Sequence, residues 1–202
     1  MCVSPAAVRP ESEPPIFLNR TNLSSSGDDR RLLWQREFLL SAERMQSKES
    51  SLNEEESFPV RKLEISDKRK GFIELLQQLT VCDSVSDKEF EGRFQELSLY
   101  GDDHLVCVIE DNCYGKIVAT GSVFIEKKFI RNCGKVGHIE DVVVDSNARG
   151  MQLGKKIIAF LSDHAQSMGC YKVILDCSTD NKVFYEKCGF KQKEIQMVKY
   201  FT

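Results

Sequence analysis

The sequence predicts an α/β fold: one mixed, mostly antiparallel sheet flanked by helices. Three observations carry this. Apolar runs of strand length alternate with helical stripes, their order reads β-α-α-β-β-β-α-β-α-β, and 41% of the 202 residues are hydrophobic, enough for one buried core plus an appendage. The 28 basic and 31 acidic residues leave a net charge of -3, which gives no global field to gather nucleic acid or anionic membrane. An anionic ligand must be met locally.

All five prolines lie at or before Pro59, and residues 1–58 hold 7 basic and 10 acidic residues against 21 of each in residues 60–202. A segment of that composition, with Ser24 to Gly27 and Glu54 to Glu56 inside it, buries little surface. Residues 1–58 are therefore expected to be a low-complexity, mostly disordered tail, and residues 59–202 the domain. Within the tail, Leu33, Trp34, Phe38, Leu39 and Met45 make Arg30 to Lys48 either a docking amphipathic helix or a transient one.

The tail is too acidic for a transit peptide and lacks the apolar run of a secretory signal, and no stretch approaches the ~20 apolar residues of a membrane span. None of the eight cysteines forms a Cys-x-x-Cys pair, and Cys107 and Cys177 sit in apolar runs, where a reduced thiol acts as a small hydrophobe. A soluble cytoplasmic protein is expected, with the surface of endomembranes included. His104, His164 and the scattered cysteines show no metal-ligand spacing, so no metal is expected.

The elements follow in order. Pro59 to Ile65 reads as a first strand. Ser66 can cap a helix with Phe72, Leu75, Leu76 and Leu79 on one face, and Ser86 with Glu89 forms a capping box ahead of Phe90, Phe94 and Leu97, with Gly101 as the stop. His104 to Glu110 and Lys116 to Ile125 form a hairpin through Asp111 to Gly115, followed by a polar excursion from Glu126 to Gly137. His138 to Asp145 has the continuous apolar run of a central strand. The next helix carries Leu153, Ile157, Leu161, Ala165 and Met168 on one side and stops at Gly169. A strand from Tyr171 to Cys177, a short helix from Lys182 to Cys188 and a closing strand or strands over Phe190 to Phe201 complete the chain.

The loop Arg149-Gly-Met-Gln-Leu-Gly154 joins a strand to a helix. The first turn of a helix leaves backbone donors unpaired at the positive end of its dipole, and small residues let the main chain approach a phosphate. Arg149 adds a charged donor. Read alone, the loop is either a pyrophosphate cradle or an ordinary turn. It is neither a P-loop nor Gly-x-Gly-x-x-Gly.

This stretch resembles the coenzyme A signature of the GNAT superfamily, with Gln152 in place of the usual inner glycine. That departure resembles the Arg-Gly-x-Gln-Leu-Gly of the glucosamine-6-phosphate N-acetyltransferase branch. The likeness extends over roughly Val60 to Phe201 and includes Lys127 to Arg131, His138 to Val142, Gly169 to Cys177 and Asn181 to Phe190, in order and at matching spacing. It implies a GNAT-type sheet and direct transfer of the acetyl group of acetyl-CoA to the amine of D-glucosamine 6-phosphate, with no acetyl-enzyme.

The residue roles follow from the resemblance. Glu140 is the base, acting through water. The backbone carbonyl of Asp176 orients the amine, and a backbone N–H near Val142 or Val143 polarises the thioester. Tyr185 is the acid toward the coenzyme sulfur, since a phenol of pKa about 10 stays protonated at neutral pH. Periodicity alone would make Tyr185 a packed aromatic beside Phe184. Arg149, Gly150, Met151, Gln152, Leu153 and Gly154 are expected to hold the coenzyme, with Asn181, Tyr185 and Lys187. Lys128 and Arg131, with Phe129 and Ile130 between them, are expected at the phosphate, and Thr80, Asp141 and Cys177 at the sugar. The resemblance further implies a homodimer with sites near the subunit interface. Another amine as acceptor, or a non-catalytic coenzyme A-binding scaffold, are the rival readings; Glu140 and Tyr185 speak against the scaffold.

Overall fold

The computed structural model describes residues 58–201. The expected tail over residues 1–57, with its Arg30 to Lys48 helix, lies outside the described residues.

Five strands form one sheet in chain order: β1 (Val60–Lys62), β2 (His104–Asp111), β3 (Lys116–Lys127), β4 (Lys135–Val144) and β5 (Cys170–Ile174). The first four pair antiparallel, and β5 lies parallel to β4. The helices are α1 (Phe72–Leu76), α2 (Asp87–Ser98), α3 (Leu153–Ser167) and α4 (Lys182–Lys187). A parallel neighbour needs a crossover, and α3 supplies it. The β2–β3 turn closes as expected: the Gly115 N–H donates to the Asp111 carbonyl at 2.7 Å, and the Cys113 N–H donates to the Asp111 side chain at 2.9 Å.

The stripe Leu153, Ile157, Leu161 and Ala165 of α3 is buried against Leu105, Cys107, Ile109, Val123, Ile125 and Ile139. Each large apolar side chain so buried contributes roughly 1.5–3 kcal/mol. The approach depends on Gly121 in mid-β3, where an added Cβ would stand 2.8 Å from Ile157 Cγ2. On the other sheet face, Phe72, Ile73 and Leu75 of α1 and Phe90 of α2 pack over Val108, Ile117 and Val143. Those helices leave part of that face open. There His104, Phe124 and His138 form an aromatic row across β2, β3 and β4, with ring centroids 6.0 and 6.4 Å apart.

Several expected elements differ. Ser66 caps nothing. Instead Glu64 opens a 3-10 turn, Ile65–Lys70, and Gly71 at φ 85° ends it, so the helix that follows is only Phe72–Leu76 and Leu79 is exposed. The polar excursion shrinks, because β3 and β4 stay paired out to Lys127↔Lys135. Gly101 opens a short 3-10 turn rather than ending α2, which stops at Ser98. β5 ends at Ile174, three residues before Cys177. Phe190 to Phe201 forms no strand. It lacks a partner strand within the described chain, and Ile195, Met197, Tyr200 and Phe201 stand 85–89% exposed. The α2 capping box and the stop at Gly169, φ 80°, are as read from the sequence.

The seven cysteines of the described residues are free thiols, and burial pushes that of Cys107 up to about 12. Among the described residues no helix is long and apolar enough to cross a membrane.

The turn Ile65–Lys70 is tied to the sheet by charge. Asp67 is fully buried, and its carboxylate takes both Arg61 Nη1 and Nη2 at 2.7 Å and the Glu64 N–H at 2.8 Å. Glu110 on β2 takes Arg61 and Lys70, each at 2.7 Å. Burial raises the Asp67 carboxyl, but the Arg61 and Glu64 hydrogen bonds outweigh it and hold the group below its ordinary range. Removing one partner of such a pair strands the other. Asp67→Ala is expected to cost about 3–5 kcal/mol in chemical denaturation. In the parent protein, the stability given by Asp67 should be complete above pH ~4 and be lost as pH falls further, because the folded-state pKa is the lower one.

Candidate active site

Parallel pairing between β4 and β5 runs from Lys135↔Cys170 to His138↔Ile174 and goes no further. β4 continues to Val144 while β5 stops, so a gap opens between Glu140 to Val144 and Leu175 to Cys177. In the same stretch the β3–β4 register slips. Ser122 faces Glu140 and Thr120 faces Val143, so Asp141 and Val142 both oppose Gly121. Asp141 sits at φ 54°. Such a bulge bends the strand and re-aims its side chains.

Glu140 stands at one lip of the gap. Partial burial, then the charges of Asp141 and Asp176, push its carboxyl above the ordinary range, and His138 acts in the opposite sense. A carboxylate shifted upward is a stronger proton acceptor.

The other lip holds a cavity of about 320 Å³ lined by Asp176, Cys177, Lys182, Tyr185 and Phe190, among others. Tyr185 packs edge-on against Phe184 and Phe190, with centroids at 5.0 and 6.1 Å. It is thus both a packed aromatic and part of the cavity wall. Burial, with the nearby Cys177 and Cys188 thiols, raises its phenol, which stays protonated well past neutral pH.

The loop expected to hold the coenzyme begins where β4 ends. Asp145 caps the 3-10 turn Ser146–Ala148, its Oδ1 accepting the Asn147 N–H at 2.9 Å. Arg149, Gly150, Met151 and Gln152 follow, all exposed, with Gly150 at φ 90° and Gln152 at φ 58° as the N-cap of α3. Leu153 is buried and anchors the turn. At Gly154 an added Cβ would lie 3.0 Å from Phe184 Cζ, so the first turn of α3 rests on α4 and stands beside Tyr185. Open backbone at Gly150, an exposed Arg149 and the unpaired donors of a 15-residue helix suit a pyrophosphate. Asn181 is the N-cap of α4, and Lys187 lies in its last turn.

The residues expected at the phosphate separate. Lys128 Nζ meets Glu126 Oε2 at 2.6 Å, and His138 Nε2 meets the same oxygen at 2.9 Å. His138 is two positions before Glu140, about 7 Å along the strand and on one face with it. Both partners hold the Glu126 carboxyl below its ordinary range. Arg131 lies elsewhere, in a left-handed turn with Asn132 and Cys133 at φ 54–59°, its guanidinium 5.8 Å over the Tyr171 ring. From Lys135 to Glu140 the strand rises about 16 Å. Phe129 and Ile130 are exposed in the same connection. Thr80 follows α1, two residues past Gln78, whose carboxamide bonds Asp145 and Ser146.

Glu126 and Gln78 went unassigned in the sequence. Extending the period-2 pattern of β3 past Ile125 would have placed Glu126 beside Phe124 on the open face; for Gln78 no local signal existed.

The description "Acetyltransferase (GNAT) family" matches residues 69–190. The chain is similar to glucosamine 6-phosphate N-acetyltransferase of Arabidopsis thaliana, 73% identical over 146 residues, which are 72% of this chain and 98% of that one. It is also similar to glucosamine 6-phosphate N-acetyltransferase 1 of Oryza sativa subsp. japonica, 48% identical over 146 residues, 72% and 88% of the two chains. The crystal structure of the Arabidopsis thaliana enzyme superposes with a TM-score of 0.71 at 72% identity, covering 72% of this chain and 99% of that one. With this sheet, this gap and this loop, the chain belongs to the GNAT family of acetyltransferases.

Proposed function

We propose that this protein transfers the acetyl group of acetyl-CoA to the 2-amine of D-glucosamine 6-phosphate, forming N-acetyl-D-glucosamine 6-phosphate on the route to UDP-N-acetylglucosamine. The observation that carries the reading is the gap past His138↔Ile174, with Glu140 on one lip and Asp176, Cys177 and Tyr185 on the other. The similarity to glucosamine 6-phosphate N-acetyltransferases supports the acceptor.

Acyl transfer to an amine needs a free lone pair, a donor for the developing oxyanion and a proton for the departing thiolate. Glu140 takes the ammonium proton through water, favoured by its raised pKa. The Asp176 carbonyl orients the amine, and the N–H of Val142 or Val143 next to the bulge meets the thioester oxygen. Tyr185 gives its proton to the sulfur. Arg149 to Gly154 hold the pyrophosphate, with Asn181 and Lys187 nearby. Thr80, Asp141 and Cys177 contact the sugar, and Lys128, with Phe129, Ile130 and Arg131, receives the phosphate. Every step is direct, and Cys177 carries no acetyl group. The catalytic domain spans residues 59–202, and the cytoplasm is its place.

We further propose a homodimer. Arg131 is held over Tyr171, away from Glu140 in its own chain, and the exposed apolar side chains of Ile195, Met197, Tyr200 and Phe201 need cover. A second copy supplies both a basic connection for the acceptor and a partner for the closing segment. Light scattering at micromolar concentration is expected to give twice the chain mass; a monomer that is fully active counts against it.

Glu140→Gln should lower kcat/KM by about 10²–10⁴-fold with little change in coenzyme affinity. In the parent enzyme the glutamate limb of kcat/KM is expected to fall, on acidification, above the ordinary glutamate value of about 4.3. Asp141→Asn, which removes a neighbouring negative charge, should move that limb to lower pH. Tyr185→Phe should lower kcat and leave coenzyme A binding in place; unchanged turnover refutes the acid role. A thiol-release assay should favour glucosamine 6-phosphate strongly over glucosamine and over a lysine peptide. Equal rates on all three would remove the phosphate role of Lys128 and Arg131.

A further inference from the structure

Gln78 lies outside every role assigned so far, yet both ends of its carboxamide are engaged at the foot of the cofactor loop. Oε1 accepts the Ser146 N–H at 3.0 Å, and Nε2 donates to Asp145 Oδ2 at 3.4 Å, across 68 and 67 positions of chain. Asp145 is itself fixed from several sides. Its carboxylate takes Lys116 Nζ at 2.7 Å and the Asn147 backbone and side-chain N–H groups at 2.9 and 3.2 Å. Its own N–H donates to the Val118 carbonyl at 2.8 Å, and its carbonyl accepts the Ala148 N–H at 2.9 Å. Lys116, Asn147 and Gln78 hold the Asp145 carboxyl down at about 2, so it stays charged across the working range.

The turn Ser146–Ala148 leads directly into Arg149 and Gly150. Gln78 stands on the other side, its own N–H donating to the Leu75 carbonyl at 3.0 Å at the end of α1, and Leu75 is 1% exposed in the core. The side chain therefore spans from a core-anchored helix to the start of the loop. Gln78 is itself exposed, so its loss removes no core packing. The neighbouring Gln77 carboxamide donates to the Cys82 carbonyl at 3.1 Å and holds the segment around Thr80 independently.

We infer that Gln78 is a positioning residue for coenzyme A: a strut that fixes the Asp145–Ser146 corner and with it the direction in which Arg149 and Gly150 enter the cofactor loop. The inference rests on the assignment of Arg149 to Gly154 to the coenzyme.

Gln78→Met keeps the length and removes both hydrogen bonds. In calorimetric titration with coenzyme A the variant is expected to bind about three- to tenfold more weakly, because a corner no longer held in advance must be ordered on binding. KM for acetyl-CoA should rise by a similar factor, while kcat, KM for glucosamine 6-phosphate and the melting temperature stay close to those of the parent. A merely structural role would instead lower the melting temperature or move both KM values together, and either result overturns the strut. Arg149→Ala is titrated alongside. If it weakens coenzyme A binding and Gln78→Met does not, the loop assignment stands and the strut falls. If neither variant changes the affinity, the loop assignment fails and the strut with it.

Discussion

The end of pairing between β4 and β5 is the constraint on which the rest of this structure depends. β4 is held along its length by β3, so it can continue past His138 without β5. The chain beyond Ile174 turns off the sheet and leaves backbone groups on two facing edges. Such groups must find partners in water or in a ligand. The bulge at Asp141 and Val142 adds a second local departure at the same level and leaves Val142 and Val144 to pack on the α3 side. Sheet, gap and loop are thus one construction: the strand that lines the opening also leads into the loop from Arg149 to Gly154.

The electrostatics follow from that placement. Glu140 and Tyr185 are both pushed up from their ordinary values, chiefly by burial, and under the proposed mechanism the same shift serves opposite purposes. A carboxylate raised in this way accepts a proton more readily, whereas a phenol raised further keeps one available. The proposed acid and base can therefore coexist at neutral pH. Gly154 links the two halves by letting α3 settle on Phe184, the neighbour of Tyr185.

What the sequence made legible was what local chemistry determines. The Ser86–Glu89 capping box, the Leu153 to Ala165 stripe and the strand-to-helix loop each rest on neighbours a few residues apart, and each is found in place. The turn at Glu64 to Gly71 differs from the reading at Ser66 although its determinants lie close in sequence. Asp67 closes a capping box with Glu64 three residues before it and takes Arg61 six residues before it, and a Glu at the N-cap is a weaker signal than a Ser. Glu126 hid in an apparent loop because pairing to β4, not composition, extends β3. Gln78 has no local pattern at all; its partners lie almost seventy positions away. Phe190 to Phe201 has the residues of a strand, but within the described chain it does not pair with the open edge of β5. Arg131 matched its family segment, while its side chain turned to Tyr171 through a left-handed connection that no periodicity signals.

The central claim is that the gap and the cofactor loop together form the coenzyme site. Amide hydrogen exchange with and without saturating coenzyme A tests it most directly. Slowed exchange at Val142, Val143 and from Gly150 to Gly154, with α1 and α2 unchanged, is the result this account predicts. Unchanged exchange at those amides, with protection over α1 and α2 instead, would contradict it.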